Sequence, residues 1–337
     1  MHRVITLCTI ARLSNTTRLC VLICALLFGS LSTAVNAQQV WPLERAIHLI
    51  VPFPAGSSPD LLARLLATPL SKALNQNIIV ENKPGAGGNI GTRLAARAAP
   101  DGYTILLHTS TLTANVSLYK NMGLNVQKDL IPVSQVALIP NVLMVNNDFQ
   151  AKTLKDFVDV VKQKKVAINY GSSGSGASNH LAGVLFNNMV GGDMVHVPYK
   201  GGSLANNDLL AGQVQAVFSP LVEVLGFLDS GKLRPLGVTT NSRIAKLPDV
   251  PAIAEVLPGF EIVLWNGVFV PTGTSKEIVQ KLSNAIQTVL QDPSVLKKLA
   301  EQGSTPLVSN PDDFKKVIDA EIVKWGDLIK MAGARAD

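Results

Sequence analysis

The segment Ala167 to Leu181, AINYGSSGSGASNHL, narrows most sharply what this chain can fold into. It reads as a short apolar run, a loop of glycine and serine, and an apolar helix opening near Ala177. Glycine lets a backbone approach a ligand closely, and the first amides of a helix have no partner within it. Serine hydroxyls beside the positive end of a helix suit an anion, most simply a carboxylate. Residues 47 to 66, IHLIVPFPAGSSPDLLARLL, repeat the plan of strand, loop and helix. Two such mouths far apart in sequence point to one ligand held between two lobes.

The rest of the chain supports alternating strands and helices. The run from Ile47 to Val51 is apolar except for His48, as in a buried parallel strand. Leu61, Leu62, Leu65 and Leu66 follow at helical spacing, with Ser58 or Asp60 as candidate N-cap. Further strands are expected from Asn77 to Val80 and from Tyr103 to Leu107, separated by a glycine loop and an alanine-rich helix. From Asp129 to Asn146, apolar runs broken by Pro132 and Pro140 suit an extended crossover. A second block starts near Asn141. It has strands expected near Ala167 to Asn169, Met194 to Val197, Val214 to Phe218 and Arg234 to Thr239. Ile262 to Val270 would cross back, and the end reads as helical, with breaks at Asp292-Pro293 and Gly303. The expected class is α/β, each lobe a mostly parallel sheet flanked by helices.

The N-terminus reads as an export signal. Arg3, Arg12 and Arg18 precede or flank the apolar run Leu19 to Leu31, and Val35-Asn36-Ala37 fits a small-x-small cleavage pattern. Ile23 before Cys24 argues against lipoprotein attachment. Residues 1–37 contain no acid, so of 30 basic and 24 acidic residues the remainder keeps 27 and 24. That near balance gives no electrostatic footprint for nucleic acid. All three cysteines, Cys8, Cys20 and Cys24, precede the expected cut, which excludes a disulfide or thiol nucleophile from the mature chain. The five histidines lack metal-ligand spacing, and no metal or cofactor is expected.

Other motifs are weaker. A G-x-S-x-G elbow starting at Gly171 would need glycine where Ser175 stands. His180 lies one turn into the helix, where it suits a cap or cleft wall. Gly85 to Gly91 resembles a dinucleotide fingerprint, but Ile90 occupies the third glycine position, so tight helix–sheet packing explains the glycines better. Asp60 has two readings: a partner for the helix dipole, or a carboxylate for a ligand's ammonium or hydroxyl. No second carboxylate has a spacing that suggests an acid/base pair.

With these residues in view, the chain after the signal resembles the Bug-type (TctC-like) substrate-binding proteins of tripartite tricarboxylate transporters. The resemblance rests on VPFPAGSSPDLLARLLA, IIVENKPGAGGNIG, ARAAPDGYTILL, INYGSSGSGASNHLAG, HVPYKGG, DLLAGQVQAVF, GKLRPLGVTT, LPDVPAIAE and WNGVFVPTGT. It implies a two-lobed periplasmic binding protein of type II-like fold, closing on a small carboxylate. In the first loop Phe53, Pro54, Gly56 and Asp60 match, while Ser57 stands in place of a second glycine and offers a hydroxyl. Thr109 and Ser110 follow the third strand, where the family places cleft residues. Ser172, Ser173, Ala177 and Ser178 match the opposing loop, with Pro198, Tyr199, Ser219 and Pro220 as secondary walls.

The expected organisation is a signal peptide at 1–37, lobe one at 38–139 and 263–337, and lobe two at 140–262. The expected function is a monomeric periplasmic receptor, not an enzyme, delivering its ligand to integral-membrane transporter subunits. A sensor subunit for a membrane signalling protein and an exported hydrolase using Ser173 or Ser175 are the alternatives.

Overall fold

The computed structural model describes residues 41–333; the expected signal segment lies outside them. Apolar β-branched runs become inner strands, because a parallel strand covered on both faces buries every side chain. β1 (Ile47–Val51) lies parallel to both β2 (Ile78–Asn82) and β3 (Thr104–Thr109). β3 pairs antiparallel with β9 (Val263–Pro271), and β9 with β4 (Leu130–Asn146). Past Pro140, β4 changes partners and runs antiparallel to β7 (Ala216–Pro220) and β8 (Leu233–Val238). β5 (Asn169–Ser172) lies parallel to β7 and to β6 (Val195–Pro198). The order is β2-β1-β3-β9-β4-β7-β5-β6, with β8 and β10 (Thr305–Pro306) as further partners of β4. The fold is thus α/β and two-lobed: two mostly parallel strand clusters are joined through the long antiparallel strand β4, with β9 between it and β3.

Helices cover both clusters. In the first, α1 (Ser58–Leu74) and α2 (Asn89–Ala96) are followed by α3 (Thr111–Leu118) and the short α4 (Val126–Asp129). In the second come α5 (Leu154–Gln163), α6 (Ser178–Val190), α7 (Gly202–Leu210) and α8 (Leu221–Asp229). The chain closes with α9 (Lys276–Val289), α10 (Pro293–Glu301) and α11 (Pro311–Ala332). Boundaries follow local chemistry. Thr153 and Asp156 form a reciprocal capping box on α5, and Ser275, Asp292 and Asn310 accept first-turn amides of α9, α10 and α11. One core gathers Leu49, Leu62, Leu66, Val270 and Leu282, and another Leu143, Phe157, Tyr170, Phe186 and Phe218.

The expected extended crossover is β4, and two other local expectations change. The prolines of β4 do not interrupt it. Pro132 borders a register shift, and Pro140 is the last residue paired with β9 before Asn141 pairs with Pro220. A residue without an N–H is tolerated where a ladder is irregular or changes partner. β5 begins at Asn169 and takes in Gly171 and Ser172, which sequence alone assigns to the loop. A side chain at Gly171 would lie 3.0 Å from the Ala205 methyl and 3.3 Å from the Tyr199 ring, so glycine lets α7 lie a few tenths of an ångström closer than a larger residue would. Helices α3 and α8 were not expected either. α3 is buried at Thr111, Leu112, Thr113, Ala114, Asn115 and Leu118, so it lacks the apolar stripe that betrays a surface helix.

Close packing of α6 on β5 gives a testable consequence. A Cβ at Gly183 would meet the Tyr170 ring at 2.2 Å. Gly→Ala in a helix interior ordinarily stabilises; here the overpacking should dominate. Gly183→Ala is expected to destabilise by about 1–3 kcal/mol. Urea denaturation of the variant checks this, and a gain in stability would contradict the packing.

Candidate ligand-binding cleft

Several helix starts converge where the two strand clusters face each other. Ser58 and Pro59 open α1, Thr111 opens α3, Ser178 opens α6 and Gly202 opens α7, and all line one inner cavity of about 40 Å³. First-turn amides have no intrahelical partner and carry partial positive charge, so this arrangement favours an anion. An outer chamber of about 540 Å³ adjoins it, sharing Phe53, Pro54, Thr111, Ser173 and Ala177. Its further walls include Pro84 to Gly88, Tyr119, Ser175, Tyr199 and Lys200.

The sequence-predicted residues divide into two groups. Phe53, Pro54, Ser57, Thr109, Ser173, Ala177, Ser178 and Pro220 line the inner cavity, and Tyr199 lines the outer chamber. The Phe53 ring packs edge-on against His108 at 5.2 Å. Ser173 Oγ donates to Asn179 Oδ1 at 3.1 Å, and Ser178 Oγ lies 3.2 Å from Asn141 Nδ2. Both hydroxyls are thereby oriented on the loop that opens α6. Ser57 Oγ donates to the Pro54 carbonyl at 2.6 Å, so it tightens its own loop.

Gly56, Asp60, Ser110, Ser172, Pro198 and Ser219 are not among the lining residues of either cavity. Asp60 is buried, and its oxygens accept from Gly56 N at 2.8 Å, Arg64 Nε at 3.0 Å and Asn82 Nδ2 at 2.9 Å. Burial alone would raise its pKa; the bonds from Arg64, Gly56 and Asn82 hold it below the usual carboxylate range. Asp60 therefore braces the first loop. Ser110 N donates to the Trp265 carbonyl, and Pro198 is exposed at the end of β6. Ser172 Oγ lies 2.6 Å from His196 Nε2, beneath the loop. His180 stacks on His196 at 3.9 Å and accepts from Gly176 N through Nδ1, as a cap rather than a wall. The serine–histidine contact thus falls on Ser172, whereas Ser173, which faces the cleft, is held by Asn179.

Sequence reasoning missed Glu223, Thr111, Leu264 and Gly202, all of which line the inner cavity. Glu223 accepts from Ser58 N at 2.8 Å through Oε1, joining the starts of α8 and α1. Burial pushes its carboxyl up to about 7, against the Ser58 amide, which favours the anion. The glycines at 85, 87 and 88, read as packing residues, also form part of the outer wall; a Cβ at Gly88 would come within 2.9 Å of His108, and one at Gly91 within 2.6 Å of the Lys83 carbonyl. Among the described residues no group of three His, Cys, Asp or Glu side chains is placed to hold a metal.

This arrangement agrees with what the chain is similar to. BugT of Bordetella pertussis is 35% identical over 324 residues, covering 95% of this chain and 99% of that protein. An R. palustris protein solved with adipate is 35% identical, with a TM-score of 0.83 over 88% of this chain and 99% of its own. MatC from Rhodopseudomonas palustris, solved with bound malate, is 31% identical, with a TM-score of 0.78 over 86% of this chain and 100% of its own. The family model described as "Tripartite tricarboxylate transporter family receptor" matches residues 62–334. With that match covering most of the chain, the serine loop and both long strands included, the chain belongs to the tripartite tricarboxylate transporter receptor family.

Proposed function

We propose that this protein is a periplasmic solute receptor that holds a small carboxylate between its lobes and delivers it to a tripartite transporter. The observation that carries the reading is the convergence of α1 and α6, one from each strand cluster, on a single hydroxyl-lined cavity. Adipate and malate in the related structures support the ligand class. In this reading residues 1–37 are removed on export. Lobe one is 38–139 with 263–337, lobe two is 140–262, and the receptor acts as a monomer. The hinge lies where β4 and β9 pass between the lobes.

A carboxylate bound here would draw the Ser173 hydroxyl from Asn179 and the Ser178 hydroxyl from Asn141, because both bonds are long and a charge-assisted hydrogen bond is stronger. Replacing either by alanine is expected to cost about 1–3 kcal/mol of binding, roughly five- to 150-fold in affinity. Ser57→Gly should change little, because that hydroxyl is held by the Pro54 carbonyl. Calorimetry with adipate and malate on the three variants tests the reading. Wild-type affinity in both serine variants would place the carboxylate elsewhere.

A further inference from the structure

The inner cavity already holds a carboxylate. Glu223 is the one ionisable side chain among the described residues that line it, and its Oε1 takes the Ser58 amide at the start of α1. Its other oxygen, Oε2, is buried without a hydrogen-bond partner, as are the hydroxyls of Ser58 and Ser219. Ser58 and Ser219 are each 1% exposed. Gly202 makes room for Oε2, since a Cβ there would come within 2.1 Å of it. Asp60, by contrast, has its oxygens committed to Gly56, Arg64 and Asn82.

A buried acceptor without a donor is costly, and two carboxylates brought together in one small cavity repel. A ligand that carries its own cation removes both penalties. Its carboxylate would take the α6 side, at Ser173 and Ser178, and its ammonium the carboxylate of Glu223. The inner cavity, at about 40 Å³, is small, which favours a ligand whose two charged groups lie close together, as on one carbon. The rest of the ligand would extend into the outer chamber.

We propose that Glu223 determines specificity in this cleft and that its ligands are α-amino acids, the ammonium pairing with Glu223 and the carboxylate with the serine loop. This rests on the carboxylate reading above and narrows it to one class.

The test is calorimetry on wild type and Glu223→Gln with matched trios: L-glutamate, 2-hydroxyglutarate and glutarate; L-leucine, 2-hydroxy-4-methylpentanoate and 4-methylpentanoate. Adipate and malate serve as reference carboxylates. Within a trio that binds, the amino acid should exceed the plain acid by about 10- to 100-fold on wild type, and Glu223→Gln should erase that preference. Wild type titrated near pH 7 in buffers of differing ionisation heat gives a readout independent of the variant. An ammonium keeps Glu223 ionised and so releases protons, whereas a second carboxylate beside it takes protons up. Plain acids binding as well as amino acids, a preference that survives in Glu223→Gln, or proton uptake with the amino acid would each overturn the inference. Binding of adipate or malate with none of the amino acids overturns it while leaving the carboxylate reading intact. Binding of no carboxylate at all removes both.

Discussion

Acidification from pH 7.5 to 4.5 is expected to reduce the unfolding free energy by on the order of 3–5 kcal/mol. Three histidines cause the loss: His108 and His180, which are buried, and His196, which is half-buried. Burial lowers His108 to about 4 and His196 to about 4; burial and then the His196 charge lower His180 to about 3. In the unfolded chain each titrates near 6.5. Between these values the unfolded state binds more protons, so the stability present above pH 6.5 drains away as pH falls. Glu223 works in the opposite sense. Its folded value of about 7 exceeds the unfolded 4.5, so the folded state binds the extra proton across that window and gains as pH falls. Burial raises Glu321 as well, and it acts in the same direction as Glu223. His108 and His180 each contribute about 2–3 kcal/mol over this range, the half-buried His196 less because solvent screens it, and the two carboxyls offset only part of the sum. Asp60 lies below its usual value and titrates at lower pH, outside the window. Urea midpoints at the two pH values measure the effect. A midpoint that stays in place would mean that the histidines gain protons as readily in the fold as out of it.

Glu321→Ala is expected to destabilise by about 3–5 kcal/mol, a further large effect. One oxygen of Glu321, on α11, accepts from Trp265 Nε1 at 2.7 Å, Thr113 Oγ1 at 3.1 Å and Trp325 Nε1 at 3.2 Å. Those donors belong to β9, α3 and α11, and all three residues are 3% exposed or less. Alanine would strand two indole N–H groups away from water, while the Thr113 hydroxyl keeps the Ser110 carbonyl at 2.7 Å. Glu321→Gln keeps an acceptor and should cost much less. The pair of denaturation curves decides the matter: equal losses in both variants would show that packing volume, not the hydrogen bonds, matters here. Because β9 and α3 carry Leu264 and Thr111 into the inner cavity, the alanine variant should also bind ligand less tightly.

Much of the site was legible locally. Glycine and serine between an apolar run and a helix marked both loops that meet at the inner cavity, and Ser57, Ser173, Ala177 and Ser178 line it. Asp60 shows the limit of such reading. Its place in the first turn of α1 allowed either a brace or a ligand contact, and Arg64 and Asn82 claim it as a brace. Ser172 and Ser219 sit in the expected segments, yet their side chains stay out of both cavities.

By itself the sequence determined what short-range chemistry controls: strands at the apolar runs, helix starts at Ser275, Asp292 and Asn310, and amides free to meet an anion at the glycine–serine loops. Tertiary structure alone decided that β4 runs unbroken past Pro140, because a proline is tolerated only where neighbouring strands ask no N–H of it. It also decided which carboxylate faces the cavity. Glu223 and Ser58 are 165 positions apart, and residues between them carry no period or cap that records the meeting. Hydrophobic period and capping act over a few residues, whereas a contact across a cleft depends on how two independently patterned lobes pack.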